Sequence, residues 1–151
     1  MIYYRNDLRR SGVDGRALVS TAQRLLTVLG DDRAALSLSL VDDATIRSLN
    51  HQYRGRDAAT DVLSFSLDGE AEAGVVEPLL GDVVISVETA RRQAAAYDAP
   101  LQRELYRLLI HGLLHLKGHD HEDESERRRM RREERRLADA IALPWPYGDA
   151  R

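Results

Sequence analysis

LYRLLIHGLLHLKGHDH, from Leu105 to His121, is the stretch on which the reading of this chain turns. Leu105, Leu108, Leu109, Leu113 and Leu116 recur at three- and four-residue spacing, the pattern of a helix with one apolar face. His111 and His115 are four apart, so on that helix their imidazoles project from the same side. Gly118 is placed to end the helix, because glycine accepts the left-handed conformation common at that boundary. The chain can then turn and bring His121 back toward the same point. Three neutral imidazoles with one position left for water is the arrangement of a catalytic zinc site, so one Zn2+ bound by His111, His115 and His121 is expected. Nickel or copper can occupy the same ligands in vitro. His119 and Asp120 sit inside the turn. Each either orients a ligand or carries a proton, or is simply a polar, exposed loop residue.

The spacing His-x-x-x-His-x-x-Gly-x-x-His is shared with zinc peptidases of the metzincin type, which place a glutamate directly after the first histidine as general base. Here that position is Gly112, which can neither accept nor deliver a proton. A peptidase mechanism would lack its base.

Working outward, residues 80–87 (LGDVVISV) read as a buried strand, and residues 87–97, 101–117 and 124–142 as helices. Toward the N-terminus, residues 2–6 (IYYRN) suit a short strand. A helix is expected over 15–29, with Leu18, Val19, Ala22, Leu25, Leu26 and Leu29 on one face and Gly30 closing it. Leu36, Leu38 and Leu40 alternate with serines, the period of a half-buried strand. Asp42 or Asp43 can cap a helix running through Ile46 and Leu49 to about Tyr53. Residues 61–67 (DVLSFSL) form the next strand, followed by a loop rich in glycine and acidic residues from Asp68 to Pro78. The order β-α-β-α-β-β-α-α-α predicts an α+β fold. It comprises a small mixed sheet of about four strands covered by about five helices, with the metal site at the end of a central helix. One domain over residues 1–151 is expected, since neither a repeat nor a linker divides the chain.

Composition narrows the function classes. With 22 basic and 25 acidic residues the formal net charge is −3, which argues against a broad, sequence-blind nucleic-acid coat. It leaves room for a small patch contacting a few phosphates. There is no cysteine, so thiolate-held zinc is excluded. Without an apolar run of about 18 residues or a signal-like N-terminus, no membrane association and a cytoplasmic location are expected. Glu126 to Arg136 (ERRRMRREERR) is tempting as an RNA-binding stripe, but interleaved glutamates fit a solvated amphipathic helix as well. Asp61 and Asp82 suit local hydrogen bonding at strand ends better than metal binding.

HGLLHLKGHDH resembles the signature of the YbeY family of bacterial endoribonucleases, usually H-G-x-L-H-L-x-G-Y-D-H. Leu49-Asn50-His51-Gln52-Tyr53-Arg54, followed by Thr60-Asp61-Val62-Leu63-Ser64-Phe65, resembles the family's LNxxYR and TDVLSFP segments. Leu80-Gly81-Asp82-Val83-Val84-Ile85 resembles its LGDIxI strand. The blocks run from residue 49 to 121, about half the chain. Two positions depart: the family's tyrosine before Asp-His is His119, which adds a candidate ligand or proton carrier near the metal, and its proline after Phe65 is Ser66. The resemblance implies a metal-dependent, single-strand-specific endoribonuclease acting in 16S rRNA 3′-end maturation and ribosome quality control. Its partners would be single-stranded rRNA precursors, the small ribosomal subunit and assembly factors. It also implies that His111, His115 and His121 hold the metal and that Arg54 is the essential arginine. Arg54 and His111 are thus the expected catalytic residues; spacing alone does not distinguish Arg54 from Arg47 or Arg56. Arginine's planar fork suits a phosphodiester. Two other readings stay open on the residues alone: a zinc metallopeptidase-like hydrolase, and a non-catalytic ribosome-assembly factor with a structural zinc.

Overall fold

A computed structural model describes residues 1–66 and 79–144. Leu67 and the glycine- and acid-rich segment from Asp68 to Pro78 lie outside them. Strands β1 (Ile2–Asn6), β2 (Ala35–Val41), β3 (Val62–Ser66) and β4 (Leu79–Ser86) form one sheet in the order β1-β2-β4-β3. β1, β2 and β4 run parallel, and β3 pairs antiparallel with β4 at one edge. Helices α1 (Gly15–Val28), α2 (Asp43–Arg54), α3 (Val87–Ala96), α4 (Leu101–Leu116) and α5 (Glu124–Ala140) complete the α+β fold. These elements agree with the expected order, most ends differing by only a residue or two.

Alternation along the strands divides the apolar residues between two faces. Leu36, Leu38, Leu40, Val83 and Ile85 point into the main core, packed with Leu18, Leu25 and Leu26 of α1, Leu105, Leu109 and Leu113 of α4, and Met130 and Leu137 of α5. Val41, Leu63 and Val84 face the other way and meet Ile46 of α2, with Leu49 and Phe65 beside them. α2 therefore covers the face opposite α4.

Of the two candidate caps for α2, Asp42 serves, accepting the Thr45 backbone N–H at 2.8 Å. Asp43 does a different job. It accepts the hydroxyls of Ser86 (2.5 Å) and Thr89 (2.6 Å) and an N–H of Arg92 (2.9 Å), tying α2 to the start of α3. Burial opposes its ionisation, but these donors outweigh burial and hold the carboxyl below the ordinary carboxylate range.

Two glycines let α4 lie close to the β3–β4 edge. A Cβ on Gly112 would sit 2.8 Å from Val83 Cγ1 and 3.1 Å from Ser64 Oγ. Ser64 Oγ donates to the Gly112 carbonyl at 2.9 Å across this contact. At Gly81 the β2–β4 register shifts, φ is 153°, and a Cβ would collide with the Phe65 carbonyl and lie 2.8 Å from Leu116 Cδ2. Gly112→Ala meets a side chain that can move, and overpacking of that kind costs about 1–3 kcal/mol. Gly81→Ala meets backbone at a φ that only glycine tolerates, so its loss should exceed that of Gly112→Ala. Urea denaturation of the two variants checks the order; equal midpoints would remove the distinction.

Candidate metal centre

The helical spacing does what geometry requires. His111 and His115 lie on one side of α4, with their Nε2 atoms 3.1 Å apart. Past Leu116 the chain reverses at Gly118 (φ 90°). Gly118 N–H donates to the His115 carbonyl at 3.0 Å and His119 N–H to the Leu114 carbonyl at 3.0 Å, the two bonds of a Schellman turn. Asp120 then accepts the His121 backbone N–H at 2.7 Å and sets the direction in which His121 leaves the turn. The His121 ring ends 5.2 Å from that of His111 and 4.9 Å from that of His115.

Among the described residues these three histidines form the one cluster of three metal-capable side chains, their candidate ligand atoms all within 4.8 Å of one another. The fit to a small tetrahedral ion can be checked directly. Zn–N bonds of about 2.0–2.1 Å at tetrahedral angles put two ligand nitrogens about 3.3–3.4 Å apart. The 3.1 Å between the helical pair is within a few tenths of an ångström of that edge. An all-imidazole donor set suits zinc among other divalent transition ions. His115 is half-buried. Burial, and then the charges of His111 and His121, lower its pKa from 6.5 to about 4, so it presents a neutral ring at physiological pH.

Arg54 reaches the same cleft from the other face of the sheet. Gly55 (φ 70°) ends α2 in the left-handed conformation, and buried Asn50 binds the Ala58 carbonyl at 2.8 Å, folding the following loop back. Arg54 wraps the free edge of β3. One N–H donates to the Ser64 carbonyl at 2.6 Å, and the guanidinium lies 5.6 Å from the centre of the Phe65 ring. Tyr53, 60% exposed, packs edge-on against the same Phe65 at 5.3 Å between ring centres.

The result is an open cleft of about 840 Å³ lined by Arg54, Arg56, Asp61, His111, His115 and His121, among others. His119 and Asp120 also line it, but neither belongs to the three-histidine cluster. Arg47, by contrast, pairs with Asp57 at 2.8 Å on the surface. Asp61 accepts the Val62 N–H at 2.7 Å, local bonding at the start of β3. Sequence reasoning missed Glu134 of α5, whose Oε2 is 4.0 Å from His111 Nδ1 with only 12% of its side chain exposed. The available signal was its position, four after Met130 and three before Leu137, on the buried side of a helix otherwise rich in charge.

Three histidines at the end of a helix, lining one cleft with an arginine at a sheet edge, define an α+β protein with a candidate three-histidine metal site beside a guanidinium. The family profile described as Endoribonuclease YbeY matches residues 4–142, and the chain belongs to that family. The endoribonuclease YbeY of Pelotomaculum thermopropionicum is 51% identical over 129 residues, 83% of this chain and 85% of that protein. That of Syntrophotalea carbinolica is 42% identical over 139 residues, 91% and 93% of the two chains. The solution structure of TM1509 from Thermotoga maritima superposes with a TM-score of 0.63 at 25% identity, covering 93% of this chain and 89% of that one. No helix among the described residues is long and apolar enough to cross a membrane.

The lowered pKa of His115 has a consequence for the metal-free protein. Below pH 6.5 the unfolded chain takes up a proton at this position that the folded chain refuses until about pH 4. Folding stability must therefore fall as pH drops through that window and recover above it. Denaturation of the chelator-treated protein at several pH values should show this slope, and His115→Gln should flatten it. An unchanged slope in the variant would contradict the assignment.

Proposed function

We propose that this chain is a metal-dependent, single-strand-specific endoribonuclease, a single cytoplasmic domain acting on 16S rRNA precursors at their 3′ end with the small ribosomal subunit and its assembly factors. The carrying observation is that Arg54 and the three histidines line one cleft although they come from opposite faces of the sheet. The family's endoribonuclease activity and the relatives at 42–51% identity support the same reading.

His111, His115 and His121 would hold one zinc ion, which supplies charge to a phosphoryl oxygen and lowers the pKa of water from about 15.7 toward about 7. Neutral imidazoles leave that +2 charge uncancelled, which favours an anionic phosphodiester. Arg54 has the complementary part. One of its five N–H donors is spent on the Ser64 carbonyl, which fixes the fork at the cleft wall before substrate arrives. Its remaining donors can grip the scissile phosphate or the charge that grows on it. The exposed Tyr53 ring, packed on the same Phe65 that Arg54 lies over, offers a face to an unstacked base, which single strands provide and duplexes do not.

Two features weigh against a peptidase. The position of the general base is Gly112, where even a Cβ crowds Val83 and Ser64. Arg54 also occupies the Ser64 carbonyl on the edge of β3, a group that a peptide adding as an extra strand would use.

Zinc-loaded protein should cleave single-stranded RNA, spare duplex RNA and an unstructured protein, and lose activity with a chelator. Arg54→Ala should lower the rate about 10²–10³-fold, the usual cost of removing one donor to transition-state charge. His111→Ala should abolish activity together with metal binding. Cleavage of the protein substrate, or full RNA cleavage by both variants, would sink the proposal.

A further inference from the structure

The run of charge on α5 contains a carboxylate that faces the three-histidine cluster. Glu133 accepts two N–H donors of Arg136, at 3.0 and 2.7 Å. Glu134, one residue on, lies between buried Met130 and Leu137 on the side of α5 that meets the core, with 12% of its side chain exposed. A carboxylate in an apolar stripe carries a desolvation cost, so its location calls for a partner. The partner it faces is His111: Oε2 lies 4.0 Å from Nδ1, beyond hydrogen-bond length and within ion-pair range.

The two nitrogens of the His111 ring have different neighbours. Nε2 lies 3.1 Å from His115 Nε2, inside the three-histidine cluster, and Nδ1 lies nearest the Glu134 carboxylate at 4.0 Å. A histidine that ligates through Nε2 carries its proton on Nδ1, and an acceptor there fixes both the tautomer and the ring plane. Glu134 also borders a hollow beside His121, together with Arg127, Met130 and Arg131. It does not line the cleft that Arg54 shares with the histidines, so it can act on a ligand without competing for substrate.

We infer that Glu134 is the positioning residue of the metal centre: when the histidines hold an ion, its carboxylate closes the 4.0 Å separation, accepts the Nδ1–H of His111 and holds that imidazole with Nε2 toward the ion. The inference rests on the metal-binding reading of the three histidines. It assigns to α5 a part in the site that its arginine-rich surface conceals. It also separates function from stability at this position, because a leucine would complete the apolar stripe between Met130 and Leu137 while removing the acceptor.

The test uses the full chain and three proteins: unaltered, Glu134→Gln and Glu134→Leu. Zinc affinity is measured by competition with a chromophoric chelator, denaturation midpoints are measured without metal, and the His111 tautomer is read by long-range 1H–15N NMR. Zinc affinity should fall about 10–100-fold in Glu134→Leu. It should fall less in Glu134→Gln, whose amide oxygen still accepts. The metal-free midpoint of Glu134→Leu should stay level or rise, which a purely structural role for the carboxylate would not produce. In the unaltered zinc-bound protein His111 should carry its proton on Nδ1. Affinity within twofold of unaltered in Glu134→Leu, or an Nε2–H tautomer at His111, would overturn the inference while leaving the metal site standing. Failure of the unaltered protein to bind zinc would instead overturn the metal reading, and this inference with it.

Discussion

The contact on which the site depends is the near-backbone approach of α4 to the β3–β4 edge at Gly112. Side-chain interdigitation would hold the helix about 10 Å from the sheet. Here a missing Cβ, a serine hydroxyl bonded to a helix carbonyl, and a second missing Cβ at Gly81 under Leu116 bring the last turns of α4 closer. His111 immediately precedes that contact and His115 follows it by three residues. Their rings are therefore located by a backbone-to-sheet distance with little freedom to vary, which suits ligands that must meet within a few tenths of an ångström.

The same edge strand locates the opposite wall. β3 alternates between the two faces: Ser64 meets α4, while Leu63 and Phe65 meet α2 and its neighbourhood. Arg54 is bound to the carbonyl of one of these residues and lies over the ring of the next. A three-residue piece of strand thus references both the helix that carries His111 and His115 and the guanidinium. The antiparallel edge also has a free hydrogen-bonding side, an aggregation hazard in most sheets. Arg54 covers part of it, so one side chain both blunts the edge and arms the cleft.

Much of this was legible in the sequence, for reasons that differ by residue. The 3.6-residue period and the glycine stop of α4 predicted the three-histidine meeting point, because both are local properties of the chain. Resemblance implied Arg54, but its advantage over Arg47 was invisible locally. Arg47 pairs with Asp57 ten residues on, whereas Arg54 must round a sheet edge that exists only after β3 has paired with β4. Gly112 reads in sequence as the loss of a catalytic base. In the fold it is a packing preference, since any side chain there must displace Val83 and crowd Ser64. Glu134 was hidden by composition. In a segment where most residues are charged, the buried member of the series is marked only by its phase relative to Met130 and Leu137, and tertiary packing decides which phase faces inward.

The charge balance makes sense on the same footing. An excess of acid over base would repel RNA if the charges acted as a uniform field, yet at physiological ionic strength fields fade over about 8 Å. What matters is then which basic groups are locally cancelled. Arg5, Arg47, Arg92, Lys117 and Arg136 each sit against a carboxylate at 2.6–2.9 Å. Such exposed pairs add little to stability, but they remove those groups as competing sites for phosphate. Arg54 is tethered to an uncharged carbonyl and keeps its full charge facing the cleft. A modest net charge is therefore no obstacle to the proposed chemistry.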